Sequence, residues 1–226
     1  MSRSSASSSF PPQRPPTETE LRILDAALEL FAEKGLHGAS TQEIGDAAGV
    51  GKSTLHYYFR HKDELYAQVF ERAFMAMAEP LRERMRPGLG LRETLEIFLD
   101  HKVRAYHERP AMVRLWMHEN MIGAPVATPL LRRVNREGDS PYAIFVDNLR
   151  AAIERGESRP VDPLQTWVTA MGASLFLPIA RESMVTSLEI FHTESGKGDE
   201  PFDYERFVAD RTEHLVELIV RGLAPT

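Results

Sequence analysis

The chain contains no cysteine, which excludes disulfide frameworks, thiolate metal sites and cysteine nucleophiles and suits a reducing cytoplasm. No run approaches the roughly 18 unbroken apolar residues that a membrane span needs, so the expectation is a soluble, cytoplasmic protein with no membrane partner. Basic residues are in the minority: 27 Lys and Arg stand against 33 Asp and Glu, for a formal net charge of −6. The strongly basic surface that usually marks a nucleic-acid binder is therefore absent from the chain as a whole. Alternating strand patterns and internal repeats are missing as well. What is present, 226 residues of which 42% are hydrophobic, is enough for one large domain or two smaller ones, each with its own core.

Helix signals fill the chain. Residues 1–16, rich in Ser and Pro, read as a disordered arm without the apolar core of a signal peptide. Thr17 and Glu20 then stand at capping-box spacing, and Leu21, Leu24, Leu28 and Phe31 recur at helical intervals until Gly35 offers a left-handed stop. Ser40 and Glu43 repeat the capping box ahead of a helix of about two turns that ends at Gly49. A third helix, about Gly51 to Phe59, buries Leu55 and Phe59, and a fourth runs from near Lys62 to about Arg86. Further helices are expected at Leu91 to Glu108, at Pro110 to Met121 and from a Ser140 cap to about Arg155. Another runs from an Asp162 cap to about Ile190, bent near Pro178, and after a loop at 193–201 the last spans about Tyr204 to Gly222.

The stretch from Thr41 to Phe59 meets the physical requirements of a helix-turn-helix. Gly45 is small where the paired helix must come close, Gly49 supplies the turn, and Ile44, Val50 and Leu55 pin the pair together. A glycine inside a helix costs about 1 kcal/mol relative to alanine, so Gly45 reads as a packing demand. The open side of the third helix then presents Lys52, Ser53, Thr54, His56 and Tyr57, groups that suit base edges, thymine methyls and phosphates. Charge is also local: from Gly49 to Lys62 the only formal charges are Lys52, Arg60 and Lys62, all positive.

The segment STQEIGDAAGVGKSTLHYYFRHKDELY, preceded by LRILDAALELFAEKG, resembles the N-terminal domain of the TetR/AcrR (tetracycline-repressor) family of regulators. The resemblance covers about the first third of the chain. It implies a homodimer with a helical C-terminal domain that binds a small molecule and supplies the dimer contact. Carried over by position, Thr41 and Gln42 would meet phosphate and a base edge. Lys52, Ser53, Thr54, His56 and Tyr57 would meet the major groove and its walls, while Tyr58 and Lys62 would hold phosphates. His56 departs from the family's usual Tyr, which leaves the base preference there open and would make binding pH-sensitive. His61 replaces the small polar cap usual before the fourth helix.

Other chemistries fit poorly. GVGKST at 49–54 ends like a P-loop, but the position five before Gly51 is Asp46 and no strand precedes it. Glu189 and His192 have di-iron spacing without the second pair such a site needs, and His118-Glu119 is followed by Ile122 where a zinc protease has its second His. No catalytic dyad emerges, so no enzyme, metal or cofactor is expected.

In the C-terminal part Phe98, His101, Met112, Trp116, Met117, Met121, Phe145, Trp167, Met171 and Phe176 could line an adaptable apolar pocket. His101, Arg104, His118 or Arg181 could orient a polar group in it. Ordinary core packing explains these residues equally well. The helix from Pro163 and the last helix, with Phe207, Leu215, Leu218, Ile219 and Leu223, are candidate dimer surfaces or intramolecular core. The expectation is an all-α protein: an arm at 1–16, a three-helix helix-turn-helix DNA-binding domain at 17–65, and a helical-bundle ligand-binding and dimerisation domain at 66–226. Its partners would be a double-stranded DNA operator, a small-molecule effector and a second copy of itself, and its function ligand-responsive repression.

Overall fold

The computed structural model describes residues 15–136, 140–194 and 202–225, so most of the expected arm at 1–16 and of the loop at 193–201 lies outside the described residues. Among the described residues the chain forms eleven α-helices and no strand. The first, α1 (Glu18–Gly38), starts at a complete capping box between Thr17 and Glu20. Its regular run breaks at Gly35 as expected, where φ is 69°, and a further short helical turn follows to Gly38. A Cβ at Gly35 would make ordinary contact with the His118 ring at 3.4 Å, so it is the positive φ that favours glycine there.

Helices α2 (Thr41–Ala48) and α3 (Lys52–Tyr58) follow, with Gly49 in the left-handed region at φ 65°. The long α4 (Lys62–Arg84) carries Pro80 inside it. Proline removes the N–H that would bond the carbonyl of Ala76, and the Arg109 guanidinium donates to that carbonyl at 2.6 Å. The freed carbonyl thereby anchors α4 to the junction of α5 (Leu91–Glu108) with α6 (Pro110–Met121).

Next come α7 (Ala127–Arg136), α8 (Pro141–Glu154), α9 (Pro163–Ile179), α10 (Arg181–His192) and α11 (Tyr204–Leu223). No local signal announces α7, because its start is capped from another helix: the Glu119 carboxylate accepts the Val126 N–H and, at 2.8 Å, the Ala127 N–H. Ser140 stands at the N-cap of α8 as expected, yet its hydroxyl makes no capping bond and is buried without a partner among the described residues. Asp162 does cap α9, accepting from the N–H groups of Leu164 and Gln165. The single bent helix expected from 163 to 190 is two helices, divided at Ala180 two residues after Pro178.

Two apolar clusters hold the molecule together. One joins α1 to α4 with α6 and the start of α7 around Phe31, Ile44, Leu55, Phe70 and Leu115. The other surrounds α5, where Phe98 and Phe145 pack with ring centroids 4.4 Å apart. Burial of each such aromatic is worth about 3–5 kcal/mol against alanine, and the shared α4 passes through both clusters.

Candidate nucleic-acid interface and effector cavity

The helix-turn-helix is built by local rules. Ser40 and Glu43 exchange backbone hydrogen bonds at 2.9 and 3.1 Å, and Lys34 pairs with Glu43 at 2.7 Å. The Lys34 and Ser40 hydrogen bonds lower the Glu43 pKa to about 2. At the turn, the Val50 N–H bonds the Gly45 carbonyl at 2.9 Å, and a Cβ on Gly45 would lie only 3.1 Å from the Val50 oxygen. The packing demand read from Gly45 is thus a contact with turn backbone as well as with the Leu55 side chain.

Leu55 and Phe59 anchor α3 from below. Successive residues turn by about 100°, so Lys52, Ser53, His56 and Tyr57 share one arc; all four are exposed, Tyr57 at 80%. Thr54 and Thr41 are half-buried at the edges of this face. Gln42 is exposed, with its amide on the Asp46 carboxylate at 2.9 Å. Two predicted site residues also serve the fold. The Tyr58 hydroxyl accepts from Thr17 at 3.1 Å, and the Lys62 ammonium donates to the Ala39 carbonyl at 3.0 Å, tying α4 to the α1–α2 corner. His61, at the N-cap of α4, makes no side-chain cap bond.

Beneath this unit lies a cavity of about 180 Å³ between α4, α5, α6, α7, α8 and α9. Of the predicted pocket residues it brings together Trp116, Trp167 and Met171, with Met112 beside them. The others lie elsewhere. Phe98 and Phe145 face each other in the core, and Met121 is 79% exposed at the end of α6. Met117 is half-buried outside the cavity wall, and Phe176 is 62% exposed. His101 is buried against α4, hydrogen-bonded to the Met77 backbone, and burial with the neighbouring Lys102 charge lowers its pKa to about 4. Of the other proposed polar groups, Arg104 pairs with Asp100 at 2.6 Å and Arg181 lies over the Tyr204 ring, both away from the cavity.

The residue that sequence reasoning missed is Lys102. It lines the cavity, is 1% exposed, and donates to the Tyr142 hydroxyl at 3.0 Å, with its ammonium 4.8 Å from the Tyr142 ring and 5.4 Å from that of Tyr106. Burial opposes its charge, while the Tyr142 and Tyr106 side chains favour it. A signal was available: Leu95, Phe98, Leu99, Lys102 and Tyr106 fall at helical spacing on one face, which makes Lys102 a cation inside an apolar stripe.

Residues 23–69 match the family "Bacterial regulatory proteins, tetR family". RutR of Escherichia coli (strain K12), an HTH-type transcriptional regulator, is 27% identical over 212 residues, covering 90% of this chain and 89% of its own. The chain carries the TetR-family helix-turn-helix over residues 23–69. It is accordingly a helix-turn-helix transcriptional regulator rather than an enzyme. KstR2 of Rhodococcus jostii (strain RHA1), an HTH-type transcriptional repressor, is 29% identical over 97 residues, 43% of this chain and 48% of that protein. A bacterial regulatory protein of the tetR family from Rhodococcus RHA1 shares the fold, with a TM-score of 0.69 over 93% of this chain and 99% of that one at 17% identity. Among the described residues no helix is long and apolar enough to cross a membrane.

The exposed face and the cavity share two elements. Helix α4 begins at Lys62 under the recognition unit and reaches the cavity with Phe74 and Met77. Helix α6 packs its Ala111 and Leu115 into the α1 cluster and turns Met112, Val113 and Trp116 to the cavity. Trp116 stacks against both Phe70 and Phe74 of α4, at 5.7 and 6.2 Å between centroids. The cavity wall and the packing around the helix-turn-helix therefore share α4 and α6.

Proposed function

We propose that this regulator is a homodimeric repressor that binds a two-fold symmetric operator and releases it when a small effector enters the cavity. In this reading residues 17–65 form the DNA-binding domain and 66–226 the effector and dimer domain. Lys52, Ser53, Thr54, His56 and Tyr57 read the major groove. Thr41, Gln42, Tyr58 and Lys62 support it at a base edge and phosphates. The observation that carries the proposal is the free arc of Lys52, Ser53, His56 and Tyr57, in a stretch with no acidic residue from Gly49 to Lys62.

One short helix contributes little affinity, and two copies set about one helical turn apart match successive grooves. The dimer face we assign is an apolar stripe on α9: Leu164, Val168, Phe176 and Ile179 are all exposed, at 53%, 55%, 62% and 41%. Leu218 of α11 adds to it at 61% exposed. Of the other α11 candidates, Leu215 and Leu223 are buried in the protomer's own core, and Phe207 and Ile219 are half-buried against it. Effector release is then a two-state shift of α4 and α6, worth about 1–3 kcal/mol in coupling.

Selection of bound fragments from genomic DNA, followed by gel-shift titration, tests the proposal. The expected result is retention of a few fragments that carry an inverted repeat, with one dimer per site. Binding without sequence preference, or a monomer on each site, would overturn it.

A further inference from the structure

The cavity holds a buried cation that the surrounding fold does not neutralise. Among the described residues no Asp or Glu is paired with Lys102, whose neighbours are the Tyr142 and Tyr106 hydroxyls and the rings of Phe98, Tyr106 and Tyr142. An ammonium carries three donors; the Tyr142 hydroxyl takes one at 3.0 Å and the Tyr106 hydroxyl draws on a second, which leaves one. Because the Tyr142 hydroxyl accepts from Lys102, its own proton is left to donate. On the same wall the Trp167 indole N–H is buried with no hydrogen-bond partner among the described residues, and the Trp167 ring sits edge-on to Tyr142 at 6.3 Å. A buried charge without a counter-ion and a buried donor without an acceptor each cost stability. Both burdens are relieved by one kind of guest.

Resting on the reading of this cavity as the effector site, we infer that the effector is a small organic carboxylate. Its head meets Lys102, Tyr142 and Trp167, and its apolar body lies among Trp116, Met112 and Met171. The charge count favours a monoanion, because one ammonium balances a carboxylate and leaves half of a phosphate dianion unpaired. The size is bounded too. A volume of about 180 Å³ corresponds to about six waters at liquid density, room for a single ring or a short chain and none for a nucleotide. Asn135, exposed at the end of α7, marks an opening toward solvent.

Calorimetric titration of the full chain with phenylacetate, hexanoate, their two primary amides and indole tests the inference. The carboxylates should bind about tenfold or more tightly than the amides, the worth of a charge-assisted bond made out of water. Lys102→Met should abolish that preference, while Tyr142→Phe, which keeps the cation, should retain it. Lys102→Met should also melt no lower than the parent, since methionine replaces an unpaired buried charge. A preference that survives Lys102→Met, amides that bind as well as acids, or a Lys102→Met variant that melts well below the parent would overturn the inference. Uptake of indole or the amides without the carboxylates would leave the effector cavity standing and remove its charge selectivity. Uptake of none of the five would remove both.

Discussion

The Tyr66 hydroxyl on α4 donates a 3.0 Å hydrogen bond to the Glu119 carboxylate on α6. The second oxygen of that carboxylate takes the Val126 and Ala127 N–H groups at the start of α7. Both side chains are buried, Glu119 completely. One carboxylate thus fastens the helix that leaves the DNA-binding unit to the two helices that wall the cavity. Tyr66→Phe should leave a carboxylate oxygen buried without its donor and cost about 1–3 kcal/mol of stability in urea titration. Burial first, and then Glu119, push the Tyr66 phenol well above its ordinary range. The unfolded chain therefore loses this proton near pH 10 while the folded chain keeps it. Stability should fall as pH rises past 10, and part of that fall should vanish in Tyr66→Phe.

Acid should act through His101. Its pKa of about 4 in the fold lies below the ordinary histidine value of 6.5, with burial as the main cause and the Lys102 charge second. Below pH 6.5 the unfolded chain takes up a proton that the folded chain refuses. The contribution of this site is complete above pH 6.5 and is lost as pH falls toward 4, by about 3 kcal/mol in all. Melting curves of the parent and His101→Gln between pH 7 and 4 check this. Parallel slopes would contradict it.

The turn of the helix-turn-helix separates two uses of glycine. Gly49 has φ 65°, and a Cβ there would meet nothing within 4 Å, so Gly49→Ala encounters only left-handed strain, about 1–2 kcal/mol. Gly49→Asn should cost less, since asparagine visits that region more readily. Gly45 has ordinary helical angles but faces the Val50 carbonyl at 3.1 Å. That carbonyl's own residue is tied back to Gly45 at 2.9 Å and has little room to retreat. Gly45→Ala should lose about 1 kcal/mol despite alanine's better helix propensity. It should also weaken DNA binding in a gel shift more than Gly49→Asn does, because it displaces α3 from α2.

These contrasts show what a sequence discloses. Both capping boxes, the Gly49 turn and the burial of Leu55 and Phe59 were legible because each depends on residues within four positions of one another. The cap of α7 was not, since Glu119 reaches it across a turn from another helix. Nor was the interruption at Ala180, where proline could bend or divide a helix and packing decided. For the cavity, aromatic and Met residues were readable as apolar but not as wall or core: Phe98 and Trp116 look alike in the sequence, and only packing separates the Phe98–Phe145 pair from the wall. The cost of Tyr57→Ala was easier to foresee. A residue 80% exposed on α3 should leave the melting temperature unchanged and lower operator affinity. Lys62→Ala differs, because its ammonium also holds the Ala39 carbonyl, and it should lose about 1 kcal/mol of stability as well.

Pro80 offers a test of α4 as the element that carries the effector signal. Its ring removes one helical hydrogen bond, and Arg109, from the corner between α5 and α6, supplies the replacement donor to Ala76. Pro80→Ala would restore the backbone donor and make Arg109 redundant there. In a double-mutant cycle, Arg109→Ala should cost about 1 kcal/mol in the parent and close to nothing in the Pro80→Ala background. Equal costs in both would show that the two residues act independently. If α4 transmits cavity occupancy to the recognition unit, restoring its hydrogen bond at residue 80 changes the balance between the two states without touching either site. Pro80→Ala should then melt higher than the parent, keep its affinity for the effector within a few-fold, and shift the effector concentration that half-releases DNA. A variant that melts higher and responds to effector as the parent does would assign the signal to α6 and its contact with α1 instead.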